Sequence, residues 1–160
     1  MYITYSEHTD LYDPLDEKLF NRLAFDACRY IDRYTTGVDG VKKLKTAFPT
    51  DEDFAIAVRH CAAKLVNLLL QIQEAENSAS VGRGYTQTEN GLQGKVVSSV
   101  SAGNESVSFS TGSQATAIDT AISDLPARDN LISRTIREYL SGVTDANGVN
   151  LLFMGVYPNV

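Results

Sequence analysis

The segment that decides the fold runs from Thr50 to Asn77 and reads TDEDFAIAVRHCAAKLVNLLLQIQEAEN. Thr50 and Asp53 have the spacing of a capping box, in which two side chains cap the first turn of a helix, so we expect a helix to begin there. Apolar residues then recur every three or four positions, which places them on one helix face. They are Phe54, Val58, Cys61, Ala62, Leu65, Val66, Leu69 and Ile72. The pattern predicts a long amphipathic helix that packs on a core.

The same periodicity occurs on both sides of this segment. Pro14 opens a first long helix that we expect to end at Gly37, and Asp124 with Pro126 opens a last one that we expect to end at Gly142. The apolar stripe of the first helix comprises Leu19, Phe20, Leu23, Ala24, Ala27, Ile31 and Tyr34. The stripe of the last helix comprises Leu131, Ile132, Ile136, Tyr139 and Leu140.

Three shorter helices complete the helical prediction. The first is expected to reach from a cap at Ser6 to about Tyr12. The second is a single turn within residues 38–48, and the third lies near residues 115–122.

Residues 78–124 differ in character, because Ser, Thr, Gly, Asn and Gln replace most charged residues. Within them we predict a β-hairpin, with a turn at Gly103 and Asn104 and alternating apolar residues on its strands. The apolar positions of the hairpin are Val96, Val97, Val100, Val107 and Phe109. Since an isolated two-stranded hairpin is marginal in water, it needs cover from its own helices or from another chain.

These elements predict a mainly α fold, a small bundle of three long helices plus short helices, with a β-hairpin excursion between the second and the last long helix. We expect a single domain over residues 1–160. Residues 6–77 and 115–142 would form its helical core, residues 92–112 a hairpin arm and residues 143–160 a C-terminal tail.

The charge balance argues against a protein that grips nucleic acid. The net charge is -6 and the isoelectric point is near 4.8, whereas phosphate binding depends on clustered Lys and Arg. The N-terminus has no basic segment followed by an apolar run, and no stretch approaches about 18 consecutive apolar residues. We therefore expect a soluble protein without a membrane partner.

The side chains that could carry catalysis are few. His60 should lie on the helix surface and its neighbour Cys61 in the core, and Cys28 and Cys61 are interpreted as reduced, buried thiols. His8 stands among aspartates in a spacing that fits no compact ligand set, so a solvated acidic turn is favoured over a metal site. The sequence thus predicts a protein that is not an enzyme and needs no cofactor or metal. The alternative is a small enzyme with a nucleophilic cysteine.

The C-terminus ends in apolar residues that follow a Gly, Asn and Asp loop. After Gly142, Thr144 to Asn150 is predicted to be a tether, and Leu151 to Tyr157 require cover. Three covers are open at this point, namely a partner protein, a neighbouring subunit or the domain's own bundle.

The order of these segments resembles the small head-tail connector proteins of tailed bacteriophages and prophages, also called head completion or adaptor proteins. The resemblance covers nearly the whole chain and is carried by four places. They are Tyr2 to Tyr12, the group Ile31, Asp32, Tyr34 and Thr35, the strand Ser106 to Phe109, and Tyr139 to Gly142 followed by Leu151, Leu152 and Gly155. The chain departs from the family in the insertion Val143 to Asn150, and in Met154, where a basic residue often precedes the final glycine.

The resemblance implies a structural virion protein, assembled in the bacterial cytoplasm and located in the neck between head and tail. Its subunits would form a ring, usually of twelve, under the portal protein. The ring would complete the DNA-filled head, let DNA pass without specific binding and present a platform for a downstream neck or tail protein. Another neck or tail-terminator component is the alternative within this class.

The resemblance also implies two contact surfaces. The hairpin residues would contact neighbouring subunits. The portal would be met by Leu151, Leu152, Phe153, Met154, Val156 and Tyr157.

Overall fold

A computed structural model describes residues 1–82, 85–88, 91–94, 99–102, 105–108 and 116–158, and gives side-chain surroundings for residues 1–77 and 116–158. The described residues are mainly helical, as predicted. Their helices are α1 (Tyr5–Thr9), α2 (Glu17–Thr35), α3 (Lys43–Thr46), α4 (Glu52–Gly82), α5 (Ala117–Ser123) and α6 (Leu125–Leu140). The three long helices are therefore α2, α4 and α6.

The chain divides into two compact units. Unit 1 comprises Met1–Leu70 and Ile132–Val160, and unit 2 comprises Gln71–Leu131. The prediction of a single domain stays a prediction.

The core of unit 1 is built from the predicted apolar stripes. The fully buried side chains of these stripes are Phe20, Ala24, Ala27 and Ile31 of α2, Val58, Cys61, Ala62, Leu65 and Val66 of α4, and Ile132, Ile136 and Leu140 of α6. Burial of one Leu, Ile or Phe side chain contributes about 1.5–3 kcal/mol, so these faces dominate the stability of the unit. Leu19, Phe54 and Leu69, also predicted in the stripes, are only half-buried.

Two helices begin one or two residues from the predicted caps. Thr4, not Ser6, caps α1, and it forms a capping box with Glu7. Asp51, not Thr50, caps α4, because its Oδ1 accepts a hydrogen bond of 3.1 Å from the backbone N–H of Phe54. Neighbouring Ser, Thr and Asp residues are all good caps, so local sequence does not separate them.

The two predicted glycine stops have different roles. Gly142 follows α6 with a φ of 79°, the left-handed conformation that a helix-ending glycine supplies. Gly37 does not act in this way, since α2 ends at Thr35 and Gly37 has no positive φ. A Cβ atom at Gly37 would lie 2.6 Å from the carbonyl oxygen of Gly155, so the requirement for glycine comes from a close approach of the C-terminal segment.

Unit 2 contains an ion pair that joins three helices. The guanidinium group of Arg128 in α6 pairs with the Glu76 carboxylate of α4, and its Nε donates to the carbonyl oxygen of Ala121 in α5 at 3.2 Å. Helix α5 itself begins with a capping box formed by Thr116 and Asp119.

Four short strands are assigned in the backbone of unit 2. They are β1 (Tyr85–Thr88), β2 (Gly91–Gly94), β3 (Ser99–Ala102) and β4 (Glu105–Ser108), paired antiparallel as β1 with β2 and β3 with β4. The predicted hairpin arm falls partly outside the described residues, which lack Val96, Val97, Phe109 and the turn at Gly103 and Asn104. Its apolar contacts stay a prediction.

Candidate functional site: the anchored C-terminal segment

A buried lysine holds the C-terminal segment on unit 1. Lys43 of α3 is fully buried, and its Nζ donates hydrogen bonds to the carbonyl oxygens of Thr35 and Leu151, each at 3.1 Å, and of Phe153. An ammonium group has three donors, and all three are used here. The end of α2 and the C-terminal segment are therefore joined at one charged atom.

Burial lowers the pKa of Lys43, because the low-dielectric surroundings disfavour the ammonium form. The carboxylates of Asp39 and Asp145 act in the opposite direction and favour the charge. The three carbonyl acceptors add to this support, since an ammonium group donates stronger hydrogen bonds than a neutral amine.

The loop that precedes the segment is folded and does not form the predicted tether. Asp145 is 4% exposed, and its Oδ1 accepts hydrogen bonds of 2.9 Å from the backbone N–H groups of Asn147 and Val149. Thr144 and Asn150 form an antiparallel bridge across the loop. The loop thus returns the chain to unit 1 at a fixed place.

Tyr157 fixes the C-terminal segment in place through hydrogen bonds to two aspartates. Its hydroxyl donates to Oδ2 of Asp145 at 2.6 Å, and its backbone N–H donates to Oδ2 of Asp39 at 2.5 Å. The backbone N–H groups of Tyr157 and Val41 lower the pKa of Asp39 by hydrogen bonding to its carboxylate. Burial and the hydrogen bond to Asp145 raise the pKa of the Tyr157 hydroxyl. Both groups are therefore held in the protonation state that the contacts need at neutral pH.

The residues predicted to dock on a partner differ in how far they are exposed. Leu151 is fully buried, and its backbone N–H donates to the carbonyl oxygen of Val143 at 2.9 Å, so the cover of Leu151 is its own unit. Leu152 and Tyr157 are half-buried. In contrast, Phe153, Met154 and Val156 are 48%, 52% and 69% exposed.

Val38 extends this exposed surface. Its backbone N–H donates to the carbonyl oxygen of Met154 at 3.1 Å, and its side chain is 74% exposed. We call Val38, Phe153, Met154 and Val156 the apolar patch. The ring of Phe153 lies against Gly155, where a Cβ atom would overlap it.

The second predicted surface lies outside the described side chains. Val96, Val97 and Phe109 lie outside the described residues, and Val100 and Val107 are opposite each other in the backbone register of β3 and β4. Their contact with neighbouring subunits stays a prediction.

His8 is not in a solvated acidic turn as predicted. It is 1% exposed, and its ring centroid lies 5.3 Å from that of Phe20 and 5.5 Å from that of Tyr12. Neither of its ring nitrogens has a hydrogen-bond partner, and burial lowers its pKa. Tyr5, His8 and Tyr12 have the three- and four-residue spacing of one helix face, although α1 ends at Thr9, and this spacing could have indicated an aromatic cluster.

The cysteines have surroundings that disfavour a thiolate. Cys61 is fully buried, and burial raises its pKa to about 12. Cys28 is half-buried, its Sγ accepts a hydrogen bond from the backbone N–H of Tyr2 at 3.3 Å, and burial again raises its pKa. Both thiols are free, as predicted, and His60 is on the surface.

Ligand sites among the described residues are poorly developed. No group of three or more His, Cys, Asp or Glu side chains in this part of the chain could hold a metal ion. An open cleft beside α1 is lined by Met1, Phe48 and Arg59, among others. The charged groups of this cleft already pair with each other, since Arg59 Nε lies 3.5 Å from Oε1 of Glu7.

Among the described residues, one helix is long and apolar enough to cross a membrane by length and composition. It is the part of α4 from Glu52 to Asn77, whose most apolar window has a mean hydropathy of 1.3. Half of that window is buried inside the fold, as is usual for a core helix.

Comparison of the chain with protein-family models, with curated proteins and with solved structures finds no match.

Proposed function

We propose that this chain is a structural subunit of a phage or prophage neck, a head-tail connector that forms a ring under the portal protein. The ring would complete the DNA-filled head and give the tail, or a downstream neck protein, its attachment platform. The proposal rests on the order of segments that resembles this family and on the apolar patch at the end of the chain.

The apolar patch is the single observation that supports a partner most directly. Its four side chains are each about half exposed or more, from 48% at Phe153 to 74% at Val38. Exposed apolar side chains that cluster in this way are typical of protein interaction sites. Burial of one such side chain against a partner contributes about 1.5–3 kcal/mol.

The anchoring of the patch favours binding by a preformed surface. Lys43, Asp39 and Asp145 hold the backbone of the segment by the hydrogen bonds described above. A segment that is already ordered loses less conformational entropy on binding than a free tail does. The portal would therefore meet an existing surface of unit 1 and would not need to extract Leu151 from the core.

The net charge of -6 suits a subunit beside a DNA channel. Acidic residues repel phosphate, so the genome would slide through a ring of such subunits without being held.

The hairpin arm would supply contacts between neighbouring subunits. Val100 and Val107 are opposite each other in the backbone register of the two-stranded ribbon β3–β4. A ribbon of this kind is stabilised when another surface covers it.

The test is binding to the isolated portal protein of the same particle. Truncation at Leu151 is unsuitable, because it removes a fully buried core residue. The double variant Met154→Ser and Val156→Ser changes only exposed side chains and should weaken portal binding by about tenfold or more, since each lost apolar contact costs of order 1 kcal/mol. Leu125→Ser, which also removes an exposed apolar side chain (73%), is the matched control and should bind normally.

The outcomes separate the parts of the proposal. Unchanged binding of the double variant would show that the apolar patch is not the docking surface. Failure of the wild-type chain to bind portal or DNA-filled heads would overturn the connector function. Binding to isolated tails alone would assign the chain to another neck or tail-terminator position.

A further inference from the structure

The outer face of α2 carries a stripe of cations with an aromatic residue in its middle. Lys18, Arg22, Phe25, Arg29 and Arg33 follow one another at spacings of four, three, four and four residues, so they share one face of the helix. All five are exposed, and they lie opposite the buried stripe of the same helix. We call these five residues the basic face.

The basic face is unusual in an acidic chain. It holds four of the fourteen Lys and Arg residues, although the net charge is -6. At about 1.5 Å per residue it extends for about 22 Å along α2. Phe25 is 60% exposed at its centre, and the Arg29 guanidinium lies 5.9 Å from the centroid of the Phe25 ring.

A complementary surface precedes the same helix. The chain between α1 and α2 and the first turn of α2 expose Asp10, Asp13, Asp16 and Glu17, with Leu11 among them at 44% exposure. We call this segment, residues 10–17, the acidic loop. Its end is fixed to α2, because Oδ1 of Asp16 accepts a hydrogen bond of 3.0 Å from the backbone N–H of Leu19.

We propose that the basic face of one copy binds the acidic loop of a second copy. Carboxylates of the acidic loop would meet cations of the basic face, and the exposed Leu11 would meet the exposed Phe25. The two surfaces differ, so the contact is head-to-tail and repeats from copy to copy until a ring closes. The inference rests on the ring in the proposed function and names the surfaces that would build it.

Nucleic acid fits the basic face less well. Phosphates would have to approach a chain of net charge -6, and the acidic loop stands at one end of the same stripe. A duplex backbone also offers no apolar partner for Phe25, which an exposed leucine does offer.

The proposed contact should be weak and sensitive to salt. Exposed ion pairs contribute little singly, and their attraction is screened over about 10 Å at 0.1 M salt. A modest pairwise affinity suits subunits that are mostly monomeric in solution and assemble on a template.

Charge reversal in two matched variants tests the contact. Variant A carries Lys18→Glu and Arg29→Glu, which remove the net positive charge of the basic face and leave the acidic loop unchanged. Variant B carries Asp10→Lys and Asp13→Lys, which remove the net negative charge of the acidic loop and leave the Asp16 cap and the basic face unchanged. Sedimentation velocity at about 1 mM protein, at about 0.01 M and about 1 M salt, measures self-association.

We expect wild-type protein to associate at low salt and to dissociate at high salt. Variants A and B should each stay monomeric under both conditions, and an equimolar mixture of the two should associate again. Circular dichroism should show the same helix content in all three proteins. Misfolded variants would not regain association on mixing, and nonspecific association would not depend on mixing the two variants.

Monomeric wild-type protein at low salt, or a mixture of A and B that does not associate, would overturn the proposed contact. Salt-sensitive binding of wild-type protein to a duplex DNA fragment that variant A loses, without association in the mixture, would overturn it in favour of a nucleic-acid surface. Portal binding is measured separately on the same proteins. Absence of self-association in the wild-type protein with intact portal binding refutes only this contact, whereas absent portal binding with intact self-association refutes only the proposed function.

Discussion

The Nζ of Lys43 donates a hydrogen bond of 3.1 Å to the carbonyl oxygen of Leu151, 108 residues later in the chain. This contact, with those to Thr35 and Phe153, explains why the apolar chain end is part of unit 1 and why Leu151 is fully buried. Four exposed apolar side chains are then presented from a fixed backbone.

Replacement of Lys43 by methionine should release the C-terminal segment. The variant keeps a long side chain but leaves the carbonyl oxygens of Thr35, Leu151 and Phe153 without their donor. An unpaired buried polar group costs about 1–3 kcal/mol, so we expect a loss of about 2–4 kcal/mol in the free energy of unfolding. Urea denaturation measures it.

Lys42→Met is the matched control, because Lys42 is the exposed neighbour. Its effect should stay within about 0.5 kcal/mol. Equal effects of the two substitutions would contradict the anchoring role of Lys43.

Gly37→Ala should displace the same segment from the other side. The added Cβ would lie 2.6 Å from the carbonyl oxygen of Gly155, and a backbone atom cannot move away as easily as a side-chain tip. Overpacking of this kind costs about 1–3 kcal/mol. The amide of Val38, which donates to Met154, should lose its protection from hydrogen exchange.

Gly40→Ala is a useful comparison. Gly40 has a φ of 77° and open space around its Cβ position, so alanine there strains the backbone without touching the C-terminal segment. Protection of the Val38 amide should survive in that variant. Loss of protection in both variants, or in neither, would mean that the approach of Gly155 is not what requires glycine at position 37.

These contacts mark the limit of what the sequence predicts. The stripes of α2, α4 and α6 were predictable because their periodicity is local, and Phe20, Leu65 and Ile136 are buried as expected. The burial of Lys43 was not predictable, because Lys42, Lys43 and Lys45 look alike in sequence. Only carbonyl groups from distant parts of the chain decide which of the three is buried.

The same limit applies to Gly37 and His8. The sequence predicts that Gly37 ends a helix. Glycine is required at this position because the carbonyl oxygen of Gly155, far away in the sequence, leaves no space for a Cβ atom. His8 has aspartates near it in sequence, but Phe20 and Tyr12 are its neighbours in space.

The native thiols should resist alkylation. Burial raises the pKa of Cys61 to about 12 and also raises that of Cys28, so few thiolates exist at neutral pH. Mass spectrometry after treatment with iodoacetamide should find Cys61 unmodified and Cys28 modified more slowly than a free cysteine. Both should react fully in denaturant. Rapid modification of either thiol in native protein would favour the alternative of a cysteine-dependent enzyme.

The buried imidazole of His8 should make the stability of the protein depend on pH. In the unfolded chain its pKa is near the ordinary value of 6.5, and burial lowers the pKa in the folded state. Below pH 6.5 the unfolded chain therefore binds a proton that the folded chain does not bind. The contribution of neutral His8 is complete above that pH and is lost as the pH falls below it, at about 1.4 kcal/mol per pH unit, until the folded pKa is reached.

The variants His8→Phe and His60→Phe separate this effect from the titration of other groups. His8→Phe keeps a ring between Phe20 and Tyr12 and removes the titration, and His60→Phe, at an exposed position, is the matched control. Urea unfolding at about pH 7.5, 6.5 and 5.5 gives the free energies to compare. Relative to His8→Phe, wild-type protein should lose up to about 1 kcal/mol between the last two values. A constant difference between the two proteins would show that His8 has the same pKa in the folded and unfolded states, which contradicts the lowering of its pKa by burial.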